Sequence, residues 1–254
     1  MLKIIQLPVL QDNYVYILHD EQSQQTAVID PTLAEPVLAV LEQQQWQLNY
    51  ILNTHHHADH IGGNSELKQQ TGCTIVASAY DQSRIPGVDV TVHEGDQLSL
   101  GDYKLNIIDT LGHTLGHIAY YLPENATLFC GDTLFSMGCG RLFEGSAEQL
   151  WSSLQKLKAL PAQTLVYCAH EYTQNNGKFA LTLEPDNQQL LQRMLEVTAC
   201  RQEHLSTVPS TLATELATNP FLRTDNTQLQ QRLNLQGQSE VAVFTKIRQL
   251  KDVF

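Results

Sequence analysis

Six consecutive residues, His-His-His-Ala-Asp-His at positions 55–60, concentrate side chains that ligate divalent metals. They directly follow the run 50–54, whose apolar character predicts the end of a buried strand. Imidazole nitrogens and carboxylate oxygens suit zinc, iron or manganese. His55 and His57 can point the same way, whereas Asp59 and His60 follow too closely to aim at the same point. The spacing therefore predicts two adjacent metal ions, with the two histidines serving one and the last pair the other.

Less specific explanations account poorly for this segment. Purification tags lie at chain termini, and a merely solvated loop gives no reason for Asp59. A structural zinc site favours closed, cysteine-rich tetrahedra, and no cysteine lies near the segment. A catalytic metal centre is the favoured hypothesis.

Three further candidate ligands each follow a predicted strand: His113, Asp132 and His170. Strand ends are common positions for functional side chains, and these three raise the number of ligands to seven. Asp132 has two carboxylate oxygens and can bridge two ions about 3.5–4 Å apart. The predicted first ion takes His55, His57, His113 and Asp132, and the second takes Asp59, His60, His170 and Asp132. His56 and His117 remain, and we expect them to pack behind the ligands.

Composition narrows the class of protein. The chain has 254 residues, of which 42% are hydrophobic and 17% charged, and a formal charge of -12. An acidic protein of this kind is not expected to bind nucleic acid, which requires a basic surface. No apolar run approaches the roughly 18 residues of a membrane span, and no signal peptide is recognisable. The five cysteines are scattered without a CxxC pattern, which favours free thiols and a cytoplasmic location.

The pattern of elements changes along the chain. Strands and helices alternate up to about residue 170, with strands predicted at 2–7, 14–18, 26–30, 49–53, 117–122, 126–130 and 164–168. A hairpin is predicted over 98–107, turning on Gly101-Asp102. Beyond residue 171, helices are predicted at 186–203, 210–217, 227–233 and 239–250. The chain therefore divides into an α/β domain, 1–170, and a helical domain, 171–254.

The segment THHHADH at 54–60 resembles the HxHxDH signature of the metallo-β-lactamase superfamily. That resemblance implies an αβ/βα sandwich with the metals at one edge, here followed by a smaller all-α C-terminal domain. Further segments resemble one family of that superfamily, glyoxalase II. They are 131–135 (GDTLF), 138–141 (GCGR), 143–145 (FEG), 170–173 (HEYT), 208–211 (VPST) and 219–223 (NPFLR).

The resemblance implies the same seven metal ligands and a set of glutathione contacts. These contacts are Arg141, Phe143, Tyr172, Asn176, Lys178, Arg248 and Lys251. Arg141 stands where some members have Lys, which keeps the charge but changes its shape. Phe143 stands where some have Tyr, so one hydroxyl contact is missing. Without the resemblance, Arg248 and Lys251 would be taken as a solvated helix face.

The implied activity is hydrolysis of S-(2-hydroxyacyl)glutathione thioesters, chiefly S-D-lactoylglutathione, to glutathione and D-lactate. The expected cofactors are two divalent metal ions, most simply zinc, with iron or manganese as alternatives. Asp59 and Asp132 would act through a metal-bridging hydroxide, which attacks the thioester. A thiol leaves as thiolate without needing a general acid, which favours a thioester over an amide substrate. The expected partner is the small thioester alone, without nucleic acid or membrane, and the expected state is a monomer.

Three alternatives stay open at this point. A glutathione persulfide dioxygenase with a single iron shares the superfamily but would not use His60 and His170 for a second metal. A β-lactam hydrolase would have no use for the helical domain and its basic pair. A non-catalytic metal-binding protein would be expected to lack some of the ligands, and all seven are present.

Overall fold

The chain begins with a six-stranded sheet in the strand order β1-β2-β3-β4-β5-β6. The first three strands pair antiparallel, and the pairs from β3 to β6 are parallel. The strands are β1 (Leu2–Val9), β2 (Asn13–Asp20), β3 (Gln25–Ile29), β4 (Leu48–Leu52), β5 (Thr74–Ser78) and β6 (Val90–Val92). The helices between them are α1 (Ala34–Gln44), α2 (Ala58–Ile61) and α3 (Asn64–Thr71). Parallel pairs need such crossovers, and helices supply them.

The computed structural model describes all 254 residues, and they form two compact units. The first unit comprises Met1–Asp109 and Gly116–Gly131, and the second comprises Thr110–Leu115 and Asp132–Phe254.

A second sheet within the first unit has the order β10-β9-β8-β7 and is antiparallel. Its strands are β7 (Gln97–Leu100), β8 (Tyr103–Asp109), β9 (Ile118–Leu122) and β10 (Thr127–Gly131). The two sheets face each other, since the Tyr16 and Phe129 rings lie 5.3 Å apart and the Tyr120 hydroxyl donates to Asn53 O at 2.9 Å. On the far face of the first sheet, α1 and α3 cover an apolar core that includes Ile17, Ile51 and Leu67.

The second unit is mostly helical. Its strands form two short antiparallel pairs, β11 (Leu134–Phe135) with β12 (Gly138–Cys139) and β13 (Leu165–Cys168) with β14 (Ser210–Thr211). Its helices are α4 (Ala147–Lys158), α5 (Thr173–Leu183), α6 (Gln188–Gln202), α7 (Leu212–Thr218), α8 (Thr227–Arg232) and α9 (Glu240–Asp252). Phe221 links the helices, with ring centroids 6.3 Å from Phe179 and 5.8 Å from Phe244.

Most predicted elements are confirmed, and the main differences have local causes. The predicted helix 210–217 begins only at Leu212, because Ser210 and Thr211 pair with β13 and the Thr211 side chain caps the helix. Helix α5 and strands β5 and β6 were not predicted, because their polar or short sequences carry weak periodicity. None of the helices combines the length and apolar character that crossing a bilayer requires.

Candidate metal centre and substrate pocket

In the first unit, the HHHADH segment leaves the end of β4 and enters the single turn of α2. His55 and His60 are buried, whereas His57 and Asp59 are partly accessible. His55 Nε2 lies 3.0 Å from His57 Nδ1, and His60 Nε2 lies 3.5 Å from Asp59 Oδ2. Asn13 donates to the same Asp59 oxygen at 3.0 Å. The four predicted ligands therefore form two pairs, as the spacing suggested.

Asp30, which is not among the residues predicted from the sequence, orients these ligands. It directly follows β3, donates its N–H to Leu52 O of β4 at 3.1 Å, and has a φ of 48°, a left-handed conformation that Asp tolerates better than most residues. Its Oδ2 accepts from the Thr54 hydroxyl at 2.6 Å and from His60 Nδ1 at 2.9 Å, and its Oδ1 accepts from Thr54 N at 2.8 Å. The signal was available, because an Asp ends a buried strand that is followed by Pro31.

These contacts select the tautomer of both buried histidines. The neutral His60 ring donates Nδ1–H to the Asp30 carboxylate, and its Nε2 carries the lone pair. The Thr54 hydroxyl gives its proton to Asp30 and therefore accepts from His55 Nδ1, which lies 3.0 Å away. His55 Nε2 is then also a lone-pair donor. Carboxylate or hydroxyl partners on the far ring nitrogen are the usual companions of metal-binding histidines.

The two histidines that were left without a ligand role lie behind the segment. His56 Nδ1 lies 3.5 Å from Asp81 Oδ2, and Arg84 also ion-pairs with Asp81. The His117 ring stacks on His55 with centroids 4.8 Å apart. Both positions fit the predicted packing role.

In the second unit, two of the three other predicted ligands, His113 and His170, converge on the third, Asp132. His113 Nε2 lies 3.5 Å from Asp132 Oδ2, and His170 Nε2 lies 3.4 Å from Asp132 Oδ1. All three side chains are buried. His113 gives its Nδ1–H to Arg141 O at 2.8 Å, so its Nε2 is the lone-pair nitrogen. Each carboxylate oxygen therefore faces a different imidazole, which is the arrangement that a bridging carboxylate requires.

The donor geometry within each unit fits metal ions. Two ligands on one tetrahedral zinc ion lie roughly 3.3 Å apart, and the four donor pairs described above span 3.0–3.5 Å. All donors are imidazole nitrogens or carboxylate oxygens, a set that zinc, iron and manganese accept. The histidine and aspartate clusters are therefore able to bind metal ions, and the donor chemistry does not select one metal.

A cavity of about 440 Å³ lies within the second unit. It contains six of the seven predicted glutathione contacts, and His113 also contributes to its wall. The lining residues are His113, Phe135, Cys139, Arg141, Phe143, Tyr172, Asn175, Asn176, Arg248, Lys251, Asp252 and Phe254. Lys178 is exposed on α5 and is not part of this lining.

The pocket carries three cations and one acid. Arg248 is almost completely buried, and its Nη1 donates to Cys139 O at 2.9 Å while its Nε donates to Asp252 Oδ1 at 3.0 Å. Burial, together with the cations of Arg248 and Arg141, lowers the pKa of Lys251 to about 8. Burial raises the pKa of the Cys139 thiol to about 11. The pocket therefore offers Arg141 and Lys251 to an anionic ligand, beside a neutral thiol.

Two aromatic residues of the pocket contact predicted ligand histidines. The Phe143 ring lies edge-on to His113 with centroids 5.1 Å apart, and the Tyr172 ring stacks on His170 at 4.7 Å. The pocket therefore shares one wall with the Asp132 cluster of the same unit.

Comparison with known proteins gives two family matches in succession. Residues 8–170 match the metallo-β-lactamase superfamily, and residues 171–254 match the hydroxyacylglutathione hydrolase C-terminus. The chain is 56% identical over 254 residues to a hydroxyacylglutathione hydrolase of Methylococcus capsulatus, covering 100% of this chain and 99% of that one. A hydroxyacylglutathione hydrolase of Rhodospirillum rubrum is 54% identical over 253 residues, with coverage of 100% and 99%.

A solved structure agrees with these matches. The structure of ETHE1 from Myxococcus xanthus is similar with a TM-score of 0.69 and 26% identity, over 96% of this chain and 95% of that one. The predicted fold class is confirmed, a metallo-β-lactamase domain followed by a helical C-terminal domain. The chain belongs to the hydroxyacylglutathione hydrolase, or glyoxalase II, family.

Proposed function

We propose that this protein hydrolyses S-(2-hydroxyacyl)glutathione thioesters, chiefly S-D-lactoylglutathione, to glutathione and D-lactate. The observation that carries the proposal is the double role of His113. It faces one oxygen of Asp132 and also lines the cationic pocket. Metal-ligand chemistry and an anion-binding cavity thus meet at one side chain. The names of the relatives support the same substrate class.

The proposed centre uses all seven ligands. One ion would be held by His55, His57 and His113 and the other by Asp59, His60 and His170, with Asp132 available to both. When bound, two such ions supply Lewis acidity and lower the pKa of water toward 7. The contribution of Asp30 is to hold His60 with its lone pair outward. Asp59 and Asp132 act only as ligands, so no side chain needs to change its protonation state.

In the pocket, Arg141 and Lys251 would neutralise glutathione carboxylates, while Phe143 and Tyr172 would pack against its backbone. Of the lining residues, Asp252 is the one carboxylic acid, and it is paired with Arg248. A general acid is therefore not evident, and a thiol with a pKa near 8.5 does not need one to leave. This supports a thioester over an amide as the substrate.

The proposal extends to zinc as the resident metal, with iron and manganese accepted by the same donors. We also propose that the protein is a monomer and that it is located in the cytoplasm, which is a reducing compartment. All five cysteines are free thiols, four of them buried, which supports a reducing environment.

The decisive experiment measures free thiol released from S-D-lactoylglutathione by the purified protein, with and without a metal chelator. We expect release that stops after chelation and returns when zinc is added back. Absence of release from metal-replete protein would refute the proposal. Oxygen uptake with glutathione persulfide would support the dioxygenase alternative instead, and nitrocefin turnover at a comparable rate would support a β-lactam hydrolase.

A further inference from the structure

The hairpin formed by β11 and β12, residues 134–139, supplies part of the pocket wall. Phe135 and Cys139 line the cavity. The hairpin follows Asp132 and precedes Arg141 in the chain, so its position affects both. Its base is closed by Gly140 N donating to Thr133 O at 3.2 Å. Gly140 packs so tightly there that a Cβ would lie 2.0 Å from Asp132 O.

The tip of the hairpin is held by a buried carboxylate, Glu215, at the surface of α7 that faces it. Glu215 is fully buried, and burial raises its pKa. Its Oε1 accepts from the Ser136 hydroxyl at 3.0 Å, and its Oε2 accepts from Met137 N at 2.7 Å. Met137 has a φ of 55°, a strained conformation for a residue with a side chain. A buried carboxylate is costly unless donors surround it, and here the hairpin provides them.

Asn219 completes the attachment one turn later. Its Nδ2 lies 3.1 Å from Phe135 O, 2.9 Å from Gly138 O and 3.1 Å from Glu215 Oε2. Its Oδ1 accepts from Phe221 N at 3.1 Å, which fixes the start of the following turn. The amide therefore bonds to both strands of the hairpin. Asn219 opens the NPFLR segment, for which neither the metal centre nor the pocket lining provides a role.

We propose that Glu215 and Asn219 are positioning residues for substrate recognition. They fix the hairpin tip so that Phe135, Cys139 and the attached Arg248 line the pocket in a single arrangement. Arg248 belongs to this unit of structure because its Nη1 bonds to Cys139 O at 2.9 Å and to Gly140 O at 3.3 Å. The inference rests on the proposed function, since it assigns these residues to binding of the glutathione moiety.

The key variant is Glu215→Ala, which removes both acceptors from the hairpin tip. We expect KM for S-D-lactoylglutathione to rise about tenfold, as for a lost charge-assisted hydrogen bond. We expect kcat to change less than about threefold, because the metal ligands keep their own contacts with Asp132. Glu215→Gln should restore KM to within about threefold, since its amide oxygen can still accept from Met137 N while Ser136 accepts from its amide.

Thr218→Ala is the matched control. Thr218 is buried on the same helix and donates to Thr214 O at 2.7 Å, but its hydroxyl does not bond to the hairpin. It should lower the melting temperature without changing KM. The milder variant Ser136→Ala, which removes one hairpin donor, should raise KM about two- to threefold. If Glu215→Ala does not fold, Ser136→Ala and Asn219→Ala decide the question by the same criterion.

Equal KM values in the wild type and in every folded hairpin variant would overturn the proposal and leave Glu215 with a purely structural role. Hydrogen exchange provides a readout that does not depend on the reaction. Amides of 134–140 should exchange faster in Glu215→Ala and not in Thr218→Ala. Failure of the wild type to release thiol would refute the proposed function, whereas unchanged exchange in the hairpin would refute this inference.

Discussion

The candidate metal-ligand segment of the first unit, residues 55–60, and the pocket of the second unit are encoded in contrasting ways. Four predicted ligands of the segment lie within six consecutive residues, on one strand end and one helical turn. The pocket draws its lining from positions between His113 and Phe254. Local spacing in the sequence therefore predicts the segment. The pocket forms only when α5, α9 and the hairpin of residues 134–139 pack together.

The segment and the pocket also differ in the contacts that hold their side chains in place. The segment depends on one carboxylate, Asp30, that holds Thr54 and His60 by short hydrogen bonds. The pocket depends on several separate attachments of similar length, among them Arg248 Nη1 to Cys139 O at 2.9 Å and Met137 N to Glu215 Oε2 at 2.7 Å. A change in the segment should therefore affect metal binding sharply, and a change in the pocket should affect KM gradually.

Asp132→Ala is expected to have the largest effect, because it removes the carboxylate faced by both His113 and His170. Hydrolysis should fall below detection and metal content should drop, since losing a direct ligand exceeds the 10–100-fold cost of losing a supporting group. Metal analysis and thiol release measure the two effects. Asp225→Ala, at an exposed carboxylate, is the control. Full turnover by Asp132→Ala would remove the bridging role.

Asp30→Asn tests whether the segment depends on its supporting carboxylate. The amide nitrogen would face His60 Nδ1–H, and two donors cannot bond, so His60 would move its proton to Nε2. Metal affinity should fall about 10–100-fold, measured by competition with a chromophoric chelator. Asp20→Asn is matched to it, because Asp20 is also buried and accepts several hydrogen bonds at a distant turn. An equal loss of affinity in both variants would contradict a specific role for Asp30.

Much of the fold was predictable because its strands and helices have strong local patterns. Strand β2 ends at Asp20, β4 ends at Leu52 just before Asn53, and α4 carries a Ser146–Gln149 capping box. Helix α5 escaped prediction because its first turns are polar, and its apolar contacts become clear only in the folded unit.

The residues of the candidate site could be predicted from the sequence where the residue type itself indicates a chemical role. His and Asp at strand ends indicate ligands by residue type, whereas Glu215 resembles an ordinary helix residue and Asn219 a residue of the turn after the helix. Their importance arises from burial and from contacts about 80 residues away in the chain. Lys178 is the opposite case: the family resemblance predicts that it contacts glutathione, but it is not among the residues that line the pocket.

Lys251 provides a pH test of the pocket alone. Its pKa is lowered to about 8, so the cation is present at pH 7 and lost as the pH rises through 8. KM should therefore increase between pH 7 and 9, because the pocket loses the Lys251 cation over this range. Lys251→Arg should flatten this profile, and Lys251→Met should raise KM about tenfold at pH 7.

The same lowered pKa affects stability in a direction that can be checked. The unfolded chain binds a proton at Lys251 more tightly than the folded one, so stability should rise as the pH moves from 7 toward 9. Chemical unfolding of the wild type and Lys251→Met at both pH values measures this difference.

A KM profile that stays flat in the wild type between pH 7 and 9 would exclude Lys251 as the anion ligand.

Of these variants, Phe143→Tyr should change KM the least. It tests whether a small change in the pocket produces a correspondingly small change in KM. Phe143 is exposed at the rim, and its ring contacts His113 edge-on. A hydroxyl there would add one neutral hydrogen bond to substrate, worth about 0.5–1.5 kcal/mol. KM should fall roughly two- to tenfold with kcat unchanged, measured by initial rates at fixed metal content. Tyr80→Phe, an exposed tyrosine outside the pocket, should leave KM unaltered. An increase in KM for Phe143→Tyr would show that the phenyl ring of Phe143 contacts the substrate by apolar packing, which a hydroxyl disturbs.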